Sequence, residues 1–71
     1  MSEAVKIWLI SLFGTELEET KENIKNYELW RLGCKNPDEL PAYDQALEEF
    51  REYQEILINC IKQVEEGTFN V

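Results

Sequence analysis

Four bulky side chains, Tyr43, Phe50, Leu57 and Val64, recur at intervals of seven residues through the second half of this chain. Ala46, Tyr53 and Cys60 stand three places after the first three, and Leu47 and Ile61 widen the stripe. A row with that spacing lies along one side of an α-helix, whereas a strand alternates its side chains with a period of two. The pattern therefore predicts a helix over residues 41–66, ended by Gly67. At 1.5 Å per residue such a helix runs for about 39 Å. In a chain of 71 residues, only one further arm of comparable length remains to cover it.

The segment Gly33-Cys34-Lys35-Asn36-Pro37-Asp38-Glu39-Leu40-Pro41 marks the turn between the arms. A glycine suits the left-handed residue that follows many helices, and two prolines come after it. Within the turn, Asn36-Pro37-Asp38-Glu39 reads as an N-cap, a proline at the first helical position and an acidic first turn. Pro41 lacks the amide to continue that helix cleanly, so a single helical turn ahead of the long helix is expected.

Before the turn, residues 3–13 and 15–32 read as helical. Thr15-Glu16-Leu17-Glu18 matches a capping box and follows Gly14, as a helix start would. Against a break, Ile10, Phe13, Leu17, Thr20, Ile24 and Tyr27 keep helical spacing straight through Gly14. A strand over 5–13 is also conceivable from the alternation of Val5, Ile7 and Leu9, but Trp8 and Ile10 spoil its polar face and no second strand is there to pair with it. The expected fold is all-α: one domain over 1–71, a helical hairpin with its first arm kinked or broken at Gly14, so two or three helices, completed as a bundle by dimerisation.

The reason for expecting self-association is surplus apolar surface. Ile56, Leu57, Ile58, Cys60 and Ile61 wrap most of the circumference of the long helix, and one partner helix covers only a stripe. Trp8, with the other apolar residues of 7–13, adds to the excess, so Trp8, Ile56 and Ile58 are the candidate self-association residues. The alternative is a compact three-helix monomer in which a split first arm covers everything.

Charge narrows the partners. With 15 Asp and Glu against 7 Lys and Arg the formal charge is −8, which repels phosphate backbones and anionic membranes and favours basic protein surfaces. Direct nucleic-acid binding is not expected. The apolar run at 7–13 is far shorter than the roughly 20 residues of a membrane span, and Glu3 before it with Glu16, Glu18 and Glu19 after it argue against an export signal. Two cysteines, too far apart for a C-x-x-C motif, fit reduced thiols in a cytosolic protein.

Catalytic chemistry finds little to work with. The chain has no histidine, the commonest general base and metal ligand. Cys60 falls on an apolar helix face, and Cys34 beside Lys35 has no base in view. No phosphate loop, calcium loop or nucleotide fingerprint occurs, and neither enzyme activity, metal nor cofactor is expected.

Two surfaces are candidates for an outside partner. One is the acidic strip of the long helix, Asp44, Glu48 and Glu52 at four-residue steps with Glu49 and Glu55 beside them, where like charges repel by a few tenths of a kcal/mol each. A strip of this kind either keeps a sticky protein soluble or docks a basic partner, such as a nucleic-acid-binding protein whose site is blocked by this imitation of a phosphate row. The other is the group Tyr27, Trp30 and Arg31 beside the turn, of residue types enriched where binding energy concentrates, although Trp30 is expected to pack inward. The expected function is that of a homodimeric interaction protein, a regulator, inhibitor or accessory factor of the sort common in phages and mobile elements; the alternative is a structural oligomerisation module with no outside partner.

Overall fold

The structure, a computed structural model, describes residues 2–69. The expected span of 1–71 also takes in residues 1, 70 and 71, which lie outside the described residues. Two helices, α1 (Glu3–Leu32) and α2 (Leu40–Glu66), are joined by a short connection containing a 3-10 turn (Pro37–Glu39). They fold back on each other as a helical hairpin, 51 Å long and 16 by 13 Å across.

Helix α1 starts at Ser2, whose hydroxyl accepts the Val5 amide at 3.2 Å, with Glu3 placed favourably in the positive first turn. It then passes through Gly14 without a break. This corrects the expectation of an arm broken there. Thr15 does not cap anything: its hydroxyl donates to the Ser11 carbonyl at 3.0 Å, one turn back along the same helix. A glycine inside a helix costs about 1 kcal/mol relative to alanine, less than the burial lost if Leu9, Phe13 and Thr20 no longer shared one face towards α2. The strand alternative over 5–13 fails for the same reason, since these residues are helical.

The exit from α1 also differs from expectation. Gly33 is right-handed, with φ −85°, and its amide donates to the Leu29 carbonyl at 3.1 Å. The chain reverses instead through Cys34, Lys35 and Asn36. The Asn36 side chain then accepts the Asp38 amide at 3.1 Å and opens the single turn anticipated from its sequence. Pro41 falls in the first turn of α2, where its missing amide would have had no helical partner anyway. At the far end Gly67 is left-handed, with φ 76°, and the Gly67 and Thr68 amides close on the Val64 and Gln63 carbonyls. The chain then brings the Phe69 ring edge-on to Phe13, at 5.6 Å between centroids.

What holds the arms together is a thin seam. Leu9, Leu47, Leu57 and Val64 are its buried hydrophobic residues, and Thr20 is buried with its hydroxyl satisfied by the Glu16 carbonyl at 2.8 Å. Near the turn, the Tyr27 ring lies against Tyr43, Phe50 and Trp30, at centroid separations of 6.1, 5.2 and 5.1 Å. Trp30 itself stays 54% exposed, so its expected inward packing is corrected: only one edge meets Tyr27. With α1 unbroken there is, among the described residues, no third α-helix to lie over the hairpin, and the compact three-helix alternative is not adopted. A globular monomer of 8.4 kDa exposes about 4,600 Å² by the usual size scaling. This chain exposes 5355 Å².

Candidate functional site

An antiparallel pair of helices has two flanks, where both helices are open side by side, and two outer backs. The contacts across the hairpin assign residues to the flanks. On one, Arg31 Nε donates to Asp44 Oδ1 at 2.6 Å and Arg51 donates to Glu28 Oε1 at 3.0 Å. These four residues line a shallow cleft with Leu32 and Leu47. The Asp44 carboxylate, through its hydrogen bond and its charge, holds the Arg31 guanidinium above its usual range. On the opposite flank, the Tyr53 hydroxyl donates to Glu16 Oε2 at 3.2 Å.

The exposed large side chains divide between these surfaces. Val5, Trp8 and Leu12 follow one another at three- and four-residue steps, which keeps them in one row, and Glu16 and Glu19 extend that row along α1. The Tyr53–Glu16 bond therefore brings the whole row to the side where α2 presents Tyr53, with Ile56 three residues after Tyr53 and Glu49 four before it. Trp8 is 61% and Ile56 57% exposed. Ile58 points elsewhere: two residues along a helix is a rotation of about 200°, so Ile58 lies towards the mixed-charge flank. The three candidate self-association residues are all open to solvent, but they do not share one surface.

The acidic strip is divided as well. Asp44 is engaged by Arg31, whereas Glu48, Glu49 and Glu52 line a shallow depression with Pro41, Asp44 and Gln45. Glu55 lies with Glu52, Ile56 and Asn59 in a second depression one turn on. Arg31 and Asp44, which the sequence assigns to two separate candidate surfaces, thus meet in one ion pair. That pairing depends on the length of the turn, which no spacing rule supplies. Tyr53–Glu16 escaped sequence reading for the same reason, and because Tyr53 belongs to the heptad stripe and was expected inside.

The Tyr53 phenol is pushed above its usual range, first by its partly desolvated position and then by the charge and hydrogen bond of Glu16, with Cys60 and Glu19 adding to the effect. A raised folded value means that the neutral phenol is favoured by folding. The associated stability is fully present below the ordinary tyrosine pKa of about 10 and is lost as pH rises through the higher folded value. Urea midpoints of wild type and Tyr53→Phe, compared from neutral to strongly alkaline pH, are expected to converge in the alkaline range. A difference independent of pH would show that Tyr53 does not ionise within this environment.

Among the described residues no group of three or more Cys, Asp or Glu side chains is placed to hold a metal ion, and no helix is long and apolar enough to cross a membrane. Cys60 is half-buried on its helix, and the half-buried Cys34 thiol donates within the turn to the Asn36 carbonyl at 3.2 Å. No protein-family model matches the chain, and comparison with curated proteins and with solved structures returns no significant similarity. Function has to be read from these surfaces.

Proposed function

We propose that this hairpin is a protein-binding protein, a regulator or accessory factor that works by offering an incomplete helical bundle to a partner. The observation that carries the reading is the imbalance of its apolar side chains. Among the described residues four hydrophobic side chains are buried, while ten large ones are exposed, including Trp8, Trp30, Ile56 and Leu32 at 80%. Single exposed hydrophobics are ordinary on a protein surface; contiguous rows of them on a chain this short mark interaction surfaces. The area in excess of a compact monomer, about 700 Å², approaches the roughly 800 Å² that one side of a standard interface covers.

A second reading, the structural oligomerisation module, is favoured by the Arg31–Asp44 and Arg51–Glu28 flank. There both signs of charge sit beside Leu32, so two copies meet without like charges opposing throughout. Sedimentation equilibrium over a wide concentration range, combined with acrylamide quenching of the tryptophans, separates the readings. A protein-binding hairpin stays monomeric at low micromolar concentration with Trp8 and Trp30 open to quencher. A module whose function is assembly forms a dimer or larger species at those concentrations. A monomer in which both tryptophans are shielded overturns both readings, because its apolar surface is then covered from within.

A further inference from the structure

The two flanks differ in charge, and the difference identifies a partner. The helices carry six cationic residues, Lys6, Lys21, Lys25, Arg31, Arg51 and Lys62. Helical register places none of them on the flank marked by Tyr53 and Glu16: Arg31 and Arg51 are on the opposite flank in their ion pairs, and Lys21 pairs at 3.8 Å with Glu18, away from the Val5–Trp8–Leu12 row. What this flank does hold is the apolar end formed by Val5, Trp8, Leu12 and Ile56, continued by Glu16 and Glu19 on α1 and by Glu49 on α2. The Tyr53–Glu16 hydrogen bond places the Glu16 carboxylate beside α2, and Glu19 continues the same row one turn on.

Resting on the reading of the chain as a protein-binding hairpin, we propose that this flank is the docking site for a basic amphipathic helix of another protein, which lies along the groove between α1 and α2 as a third helix. Its apolar stripe covers Trp8, Leu12 and Ile56, and its lysines or arginines meet Glu16, Glu19 and Glu49. Helix-in-groove recognition uses an apolar face with anchors at helical spacing. Complementary charge at the edges supplies orientation and speed of encounter. A second copy of this chain is the poorer occupant: it carries the same charge of −8 and, among the described residues of this flank, brings carboxylates without a cation to answer them. Like charges brought together across an interface are strongly disfavoured.

The probe is a synthetic helical peptide of about 18 residues, with leucines on one face and lysines along both edges of that face. Two control peptides accompany it, one with glutamate in place of every lysine and one with the same composition in scrambled order. Binding to the full chain carrying Trp30→Phe is followed by Trp8 fluorescence and by calorimetry. The lysine peptide is expected to bind one to one, to shift Trp8 emission to the blue, and to lose about tenfold in affinity when Ile56→Glu is introduced. The joint change Glu16, Glu19 and Glu49 to Gln is expected to weaken it by about tenfold or more and to flatten its salt dependence.

Equal affinity of the lysine and glutamate peptides, or of the lysine and scrambled peptides, overturns the proposal. If no peptide binds and the chain alone sediments as a dimer with Trp8 protected, a second copy is the occupant: the interaction reading survives and the proposed partner does not. If no peptide binds to a monomer whose Trp8 is already shielded, the interaction reading itself fails. Circular dichroism of each variant keeps loss of binding distinct from loss of fold.

Discussion

Replacing Leu57 by alanine is expected to remove most of the stability of this protein, about 2–4 kcal/mol. The size of the loss follows from how little holds the hairpin. Leu57 is one of four buried hydrophobic side chains, together with Leu9, Leu47 and Val64, the last with no exposed surface at all. A single core in a chain below about 70–80 residues rarely supplies more than about 3–5 kcal/mol, so the deletion takes a large share of the total. The thin seam also gives the site little chance to collapse around the vacated volume, because its neighbours along α2 are fixed one heptad away at Phe50 and Val64. Urea unfolding followed by circular dichroism measures the change. Ile58→Ala, next to it on the same helix but exposed, is the control, and it is expected to stay within about 0.5 kcal/mol of wild type. If the Ile58 change costs as much as the Leu57 change, the Ile58 side is buried in solution, and another molecule covers that flank.

The same contrast explains what the sequence made legible. The heptad row Tyr43–Phe50–Leu57–Val64 requires only that a helix have 3.6 residues per turn, and it gave both the length of α2 and its inner face. The turn was readable from Asn36-Pro37 and Gly67 from its place after the last apolar residue, since both are local chemistry. Gly33 differs from its expected left-handed form because the helix ends instead with the Gly33 and Cys34 amides closing on the Leu29 and Arg31 carbonyls, which needs no left-handed residue. Contacts between the arms were not readable. Arg31 meets Asp44, and Tyr53 meets Glu16, only in the register that the connection imposes. For the same reason helical spacing keeps the acidic strip of α2 and the Tyr27, Trp30 and Arg31 group of α1 apart as two surfaces. The structure brings Arg31 and Asp44 of those two surfaces together on one flank and, of the three self-association candidates, keeps Trp8 on the side of Ile56 while turning Ile58 to the other.

Gly14 is where local and tertiary signals disagree most, and two substitutions there are expected to move stability in opposite directions. An ideal Cβ built at Gly14 has nothing within 4 Å, and its backbone is helical, so alanine fits without strain. Gly14→Ala is expected to stabilise the chain by about 0.5–1 kcal/mol, largely by narrowing the unfolded ensemble. Gly14→Pro removes the amide that closes on the Ile10 carbonyl and sets its ring against that carbonyl, for a loss of about 3 kcal/mol or more. If a helix instead began at Thr15, residue 14 would precede the cap, proline would be tolerated there and alanine would gain nothing. Urea unfolding therefore decides the continuity of α1 by sign as well as size. Continuity matters beyond the backbone, because residues 3–13 bring Val5, Trp8 and Leu12 to the flank that Tyr53 and Ile56 share. A chain hinged at residue 14 could swing that segment across its own apolar surface, whereas an unbroken α1 holds the flank open for something else to cover.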